Sequence, residues 1–263
     1  MSKAAHGTGE WAAANINIQT GCEHDCGYCY AKQNAVRYKR TTRNAWREPV
    51  LSEKALNKGF SWRKGVQMFP SSHDITPGNI DQCVEVLGRI LEAGNQVLIV
   101  SKPHFECVKQ MCENLAGYRE RILFRFTIGS ADDKVLDYWE SGAPPFEERL
   151  RSLEWAYDKG FETSVSCEPM LDGNIDAVIK AVKPYVTDAI WLGRVNRLKS
   201  IMAINCPGDK EARRRADELI ETWNDKAVKG LYERFKNDEA IKWKDSVKKV
   251  VGIDRPTQKG MDV

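Results

Sequence analysis

No stretch of the 263-residue sequence approaches the roughly 18 consecutive apolar residues that cross a bilayer, which excludes a membrane-spanning helix. The opening MSKAAHGTGEW has neither an apolar core nor a cleavage site of the secretory kind, so a cytoplasmic protein with no membrane partner is expected. No repeat at fixed period and no low-complexity stretch is present, which leaves out solenoids and compositionally biased tails. Nor is the chain starved of apolar residues: at 42% hydrophobic and 29% charged it is neither disordered nor fibrous, and it is long enough for one substantial core. An excess of charge is missing too, since the net is only +3. Cysteine is not scarce. Eight of them in a cytoplasmic chain argue against a disulfide framework and toward metal binding or buried thiols, and their spacing has to decide.

Short apolar runs alternate with helical patterns, the sequence form of βα units around a mainly parallel sheet. Six strands are expected: Asn15 to Thr20, Val66 to Ser71, Gln96 to Lys102, Ile122 to Ile128, Phe161 to Cys167 and Ala189 to Val195. The clearest helix runs from Ile80 to Glu92, with Ile80, Val84, Leu87 and Leu91 on one face, Asn79 at its start and Gly94 past its end. Others follow Pro103, run from about Pro145 to Lys159 with Phe146, Leu150, Leu153 and Tyr157 in register, and cover Ile175 to Val182. This α/β pattern suits an open sheet or a partial (β/α) barrel, and both put an active site at the C-terminal ends of the strands. From Asp209 the chain becomes charge-rich, with 14 basic and 12 acidic residues, and reads as helical. The expected division is 1–208 as the barrel and 209–263 as a helical C-terminal extension packed on it.

The strongest chemical signal follows the first expected strand: Cys22-Glu-His-Asp-Cys26-Gly-Tyr-Cys29, a CxxxCxxC spacing with an aromatic residue before the last cysteine. Three thiolates this close on a loop can converge on one metal centre, and iron–sulfur clusters and zinc both favour thiolate. No fourth cysteine lies nearby. Three ligands leave a coordination position open, the mark of a catalytic metal centre. The alternative is a zinc site of Cys22, Cys26, Cys29 and His24.

With six βα units behind it, this CxxxCxxC with Tyr28 before its last cysteine resembles the radical SAM superfamily over roughly residues 12 to 200. The resemblance implies a partial (β/α)6 TIM-type barrel in which Cys22, Cys26 and Cys29 hold a [4Fe–4S] cluster. The cluster's open iron chelates S-adenosylmethionine (SAM), which is cleaved reductively to a 5′-deoxyadenosyl radical that abstracts hydrogen from a substrate. TGCEHDCGYCYAK, VLIVSKP and IKWKDSVKKVV are most similar to the spore photoproduct lyase-like branch, also called DNA repair photolyase-like. The lyases of that branch use a cysteine near the end of the second strand, and Gly65 to Ile80 contains none, so photoproduct lyase activity itself is not expected.

The resemblance also places the SAM site. Tyr28 lies where the family's aromatic residue meets adenine. Ser72 and Asp74 occupy the segment whose acceptors meet the SAM amino group. Lys102, after Ser101, matches a lysine that approaches the SAM carboxylate, the alternative being a lysine that snorkels to solvent. Arg125 and Thr127 share a face of the fourth strand, so Thr127, with Ser130, is a candidate for the ribose or the carboxylate, while Arg125 is a candidate for structural pairing. Ser166 and Glu168 end the fifth strand on one face, and Asn196 with Arg194 and Arg197 follows the sixth. Cys167 ends a barrel strand and is a candidate hydrogen-atom relay, against a packing role. Cys83 and Cys112 fall on apolar helix faces as core thiols.

Residues 32–64 carry ten lysines and arginines against Glu48 and Glu53, a net of +8 interleaved with Tyr38, Trp46, Phe60 and Trp62. That mix suits phosphate contacts and base stacking, so a nucleic-acid or nucleotide substrate is expected, against a merely solvated charged surface. A flavodoxin or ferredoxin-type reductant is the expected electron donor. The competing readings are a radical SAM enzyme acting on a peptide or small metabolite, and a non-catalytic, metal-containing nucleic-acid-binding module.

Overall fold

The computed structural model describes residues 7–260 and 262. Its strands are β1 (Ala14–Asn15), β2 (Gln19–Thr20), β3 (Val50–Leu51), β4 (Gln67–Phe69), β5 (Val97–Ser101), β6 (Ile122–Thr127), β7 (Glu162–Cys167), β8 (Ile190–Leu192) and β9 (Ile241–Trp243). The helices are α1 (Thr8–Trp11), α2 (Tyr30–Arg37), α3 (Glu53–Leu56), α4 (Ile80–Glu92), α5 (Phe105–Asn114), α6 (Asp133–Trp139), α7 (Phe146–Asp158), α8 (Ile175–Val182), α9 (Leu198–Asn205), α10 (Lys210–Thr222), α11 (Asp225–Phe235) and α12 (Asp245–Val251). Seven strands form one parallel sheet in the order β1-β4-β5-β6-β7-β8-β9, and β2 pairs antiparallel with β3 as a separate ribbon. This is the partial TIM-type barrel expected from the sequence, with a further strand.

The sheet's alternation sorts the core into two. Phe69, Ile99, Phe124, Phe126, Val165, Cys167 and Leu192 face the helices and pack with Val86, Leu87, Val108, Leu153 and Val178. On the opposite, lumen face, Met68, Leu98 and Trp191 enclose Trp11, which enters from α1 with its indole 5.5 Å from that of Trp191 in an edge-on contact. Arg125 is buried on the same face, 2.8 Å from Asp188 and stacked over Trp11 and Trp191 at 4.5 and 5.1 Å. It is a structural cation, and its inward direction fixes the lumen side of every strand.

Three expectations are corrected. The first strand is broken: Ala14–Asn15 belongs to the barrel, whereas Gln19–Thr20 turns away to pair with Val50–Leu51. The extension is not wholly helical, because Ile241–Trp243 adds a seventh parallel strand beside β8. Ile241 and Trp243 are buried on the helix side while Lys242 and Lys244 point the other way, so three residues of strand hide in a sequence dense in charge. In α7 the buried face is Arg149, Ser152, Leu153 and Ala156, and Tyr157 is exposed.

The barrel stays open between β1 and β9, and α1 lies at that seam. Lys244, fully buried, pairs with Glu10 at 3.0 Å and Glu168 at 3.3 Å, and its ammonium stands 3.5 Å from the centre of the Trp11 ring. Glu10 also accepts the Asp245 amide at 3.0 Å. Near the C-terminus, Gly260 and Asp262 donate backbone hydrogen bonds to Gly9 and Glu10.

Candidate active site at the cysteine loop

The loop between β2 and α2 carries the three cysteines, and its backbone is braced from three directions. The Cys22 amide donates to the Trp46 carbonyl at 2.8 Å, the Gly27 amide donates to the Trp139 carbonyl at 2.9 Å, and Asn205 Nδ2 reaches the carbonyls of Gly27 and Cys29 at 2.9 and 3.0 Å. Gly21 has φ +101°, and a Cβ there would stand 2.8 Å from the Trp46 carbonyl oxygen, so only glycine passes under the 46–49 segment. At Gly142 a Cβ would meet the Glu23 carbonyl at 2.3 Å, so the turn between α6 and α7 lies directly on the cysteine loop. Two tight turns close within it, Asp25 onto Cys22 and Cys29 onto Cys26, and Cys29 caps α2 by accepting the Lys32 amide on Sγ at 3.3 Å. Lys32 is itself buried against Asp25 at 2.6 Å.

All three thiols are free, Cys22 and Cys26 are buried, and the charge of Cys29 would reach both of them. Burial pushes the Cys22 thiol up to about 12 and raises Cys26 and Cys29 as well, so without a metal the loop holds neutral thiols. A metal centre would draw them to thiolates by displacing their protons. The donor set fits an iron–sulfur cluster. It does not fit the zinc alternative, because His24 faces away from that role: Nδ1 lies 3.2 Å from Asp74 Oδ2 and Nε2 lies 2.9 Å from His104 Nε2.

Across from the loop stand the ends of the first barrel strands. Asn17 Oδ1 accepts the amides of Ser71 and Ser72, each at 2.8 Å, and His73 Nε2 accepts the Ile18 amide at 3.1 Å, which fixes the turn after β4. Asp74 is buried and accepts three hydrogen bonds from the chain itself, from the Ile75 amide at 2.8 Å, Ser101 Oγ and the Lys102 amide at 3.0 Å, while His24 Nδ1 lies 3.2 Å from Oδ2. Burial works against its charge, but His24, Lys102 and Ser101 outweigh it and hold the carboxyl well below the usual carboxylate range. A carboxylate offers about four lone-pair sites. Asp74 thus ties the end of β4 to β5 and to the cysteine loop, and its three hydrogen bonds leave room for a further donor. Ser72, half-buried beside it, has no side-chain partner among the described residues.

Lys102 does not snorkel. Its side chain is only 14% exposed, Nζ is 4.0 Å from Glu140 and 5.7 Å from the centre of the Tyr28 ring, and its charge offsets part of the burial that raises the Cys26 thiol. Burial opposes the ammonium, but Cys26, Glu140 and Asp74 more than offset it, and its pKa is raised. Glu140 is the hub: the Tyr28 hydroxyl donates to it and Arg149 pairs with it at 2.5 Å, with both charged side chains fully buried. Arg149 is held by the carbonyls of Pro144 at 2.7 Å and Thr127 at 3.2 Å. The Tyr28 phenol is raised by burial and then by Glu140, so it stays a neutral donor.

Thr127 and Ser166 are register partners across β6 and β7, on the same side as Arg125 and Ser164, and neither hydroxyl has a partner among the described residues. Two other expectations fail. Ser130 is wholly enclosed, with its hydroxyl donating to Asp172 and accepting the Asp132 amide at 2.9 Å, so it orders the turn into α6. Cys167 faces the helices, fully buried in the apolar core, and burial raises its thiol far above the ordinary range. It is a packing residue, because alternation from Ser166 turns it away from the lumen.

Sequence reasoning missed Glu140, Arg149, Asn17, His104 and Asn205. Arg149 carried a legible signal: it lies three residues after Phe146 and four before Leu153, a cation on the buried stripe of α7. Glu140 had none, since an acid past the end of a helix reads as a solvated turn.

The sequence model of the radical SAM superfamily matches residues 16–183. The uncharacterized protein ORF301 of Acidianus two-tailed virus is 23% identical over 176 residues, 62% of this chain and 57% of its own length, so this chain spans just over half of that curated relative. Among solved structures, Streptococcus suis SuiB bound to S-adenosylmethionine superposes with TM-score 0.55 at 11% identity, over 93% of this chain and 53% of SuiB. SuiB bound to the precursor peptide SuiA gives 0.55 at 13% identity with the same coverage. A spore photoproduct lyase double mutant with bound AdoMet and dinucleoside spore photoproduct gives 0.53 at 15% identity, over 92% of this chain and 78% of the lyase. At these identities the superpositions show a shared fold.

Proposed function

The chain belongs to the radical SAM superfamily, and from that premise we propose that Cys22, Cys26 and Cys29 ligate the cluster of an enzyme that acts on a nucleotide or nucleic acid. Members of the family use a [4Fe–4S] cluster and SAM, which when bound supply a hydrogen-abstracting 5′-deoxyadenosyl radical. The observation that carries the reading is that one loop holds three free thiols and that the charge of Lys102, just past the C-terminal end of β5, reaches all three.

This chain's residues would then divide the work. Lys102 offers a cation to the SAM carboxylate from a fixed position, because Glu140 and Asp74 hold its charge and Tyr28 lies beneath it. Ser72 offers an acceptor for the amino group. Thr127 and Ser166 present adjacent hydroxyls toward the ribose or the substrate. Asp74 offers a further acceptor toward the amino group, Glu140 and Arg149 position Lys102 and Tyr28, and the burial of Cys22 and Cys26 keeps water from the centre.

The nucleotide reading is supported by the cations beside the cysteine loop. Arg37, Lys39, Arg40, Arg43 and Arg47 are exposed around a Tyr38 that is 66% exposed, and the same segment supplies the Trp46 carbonyl that holds Cys22. The lyase structure with a dinucleoside bound shares this fold. An external carrier of flavodoxin or ferredoxin type is the proposed reductant. The test is anaerobic reconstitution followed by iron and sulfide counting and by 5′-deoxyadenosine release from SAM with dithionite. The expected result is about four irons per chain and nucleoside release lost in Cys26→Ala. Bound zinc, or a cluster that never cleaves SAM, would overturn the reading.

A further inference from the structure

A cavity of about 510 Å³ opens where β8 ends, between the 193–200 segment and the last turn of α10. Its volume is in the range of sites that enclose small organic ligands. None of the thiol, Lys102 or Glu140 groups lines it.

Its lining combines two chemistries. Arg194, Arg197 and Lys199 supply three cations, and no acidic residue is among the lining. Arg194 is steadied at the edge by the Trp223 carbonyl at 3.2 Å and Asp225 at 2.8 Å, and Lys199 pairs with Asp217 at 2.7 Å in the open. Arg197 is exposed, and its guanidinium has no partner among the described residues. The rest of the lining is largely apolar, with Met170, Leu198, Leu219, Ile220 and Trp223. The Trp223 indole N–H is spent on the Asp172 carbonyl at 3.0 Å, so the ring offers only its apolar surface. The lining therefore offers cations and an apolar surface together.

The cavity is coupled to the cysteine loop through α9. Ser200, in the first turn, accepts from Gln33 on α2 at 3.0 Å, and Asn205, in the last, holds the Gly27 and Cys29 carbonyls. An eight-residue helix is about 12 Å long, so a ligand anchored here sits one short helix from the thiols.

We propose that this cavity is a phosphate-anchoring subsite for a nucleotide. Arg197, with Lys199 and Arg194, takes the phosphate, and Leu219 and Trp223 take the base or sugar. The proposal rests on the nucleotide reading above for its occupant, but binding to the cavity needs neither cluster nor SAM. It is therefore tested on the full-length chain before reconstitution, by calorimetry with thymidine monophosphate, thymidine, inorganic phosphate and a 5′-phosphorylated oligothymidylate.

The expected result is sub-millimolar binding of thymidine monophosphate, with thymidine weaker by at least about tenfold, and a similar loss in Arg197→Asn. Asparagine tolerates the left-handed backbone at φ +56° that position 197 adopts, so this variant keeps the fold. Lys180→Glu, exposed on α8 and no part of the lining, is expected to leave binding of the mononucleotide unchanged. Tighter binding of the oligomer than of the mononucleotide assigns the phosphate to a strand end, and equal binding assigns it to a free nucleotide; both support the subsite. Equal affinity in wild type and Arg197→Asn, or equal affinity for thymidine and its monophosphate, would overturn it. So would displacement of the nucleotide by saturating SAM, which would make the cavity part of the cofactor site. Deoxyadenosine release without any of this binding would sink the subsite and leave the radical chemistry standing.

Discussion

Glu140 shows how a single carboxylate organises the site. It is enclosed with Arg149, receives the Tyr28 hydroxyl and faces Lys102, so three groups of the site take their position from it. Glu140→Gln is expected to leave Arg149 as an unpaired buried cation and to destabilise the fold by about 3–5 kcal/mol in urea melts. A loss within error would show that water or the neighbouring carbonyls already satisfy the guanidinium. The same carboxylate and Asp74 set the acid limit. Burial disfavours both charges, but Arg149 and Lys102 for one, and His24, Lys102 and Ser101 for the other, hold both below the ordinary range. A group depressed in the folded state binds protons first in the unfolded state. Their contribution is thus complete above about pH 4.5 and lost as pH falls through the depressed folded values. Melting temperature is expected to drop on acidification over that window, with a shallower slope in Asp74→Asn. Of the site's residues, the cysteines, Tyr28, Ser72 and Lys102 were legible because their spacing and strand-end position carry information. Ser130 and Cys167 were misread because a strand end says nothing of which hydroxyl is already taken or which face looks inward.

At the level of elements, α4 and α8 match the sequence reading to the residue because their apolar residues recur at helical spacing between clear stops. Strands were legible where five or six residues run on, as in β5, β6 and β7, or where a three-residue pairing sits inside a longer apolar run, as in β4 and β8, and not at β3 and β9. Neither β1 nor β9 is long enough to show alternation, and β9 is flanked by lysines that belong to a buried seam. Lys244 carries that seam, since it neutralises Glu10 from α1 and Glu168 from β7 at once. Burial raises the Glu10 carboxyl despite Lys244, so the pair is held at a cost to its charges. Lys244→Met is expected to cost about 3–5 kcal/mol by urea denaturation, because two carboxylates are left facing one another. Adding Glu10→Gln is expected to recover part of that loss, as a double-mutant cycle would read. Additive losses would show that α1 does not depend on the lysine.

On the scale of the whole molecule, the basic segment 32–64 does not form one surface. Residues 37–47 lie beside the cysteine loop, whereas Ser61 and Arg63 are bound by Asn95 at the opposite, N-terminal end of the sheet. If the cysteine side meets a nucleic acid, Arg40→Glu with Arg43→Glu is expected to weaken single-strand binding. The slope of log affinity against log salt is expected to fall by about 0.7 per lost contact. An unchanged slope would show these charges to be merely solvated. The sequence by itself determined the α/β alternation, the triple-cysteine loop and the family, because periodicity and ligand spacing are local properties of a chain. Only the tertiary structure decided that Asp74 ties β4 to β5, that Glu140 and Arg149 underlie Tyr28 and Lys102, that Cys167 looks outward and that a seventh strand completes the sheet. Those outcomes depend on pairings between residues tens to hundreds of positions apart. Burial makes such pairings obligatory, and no local pattern records them.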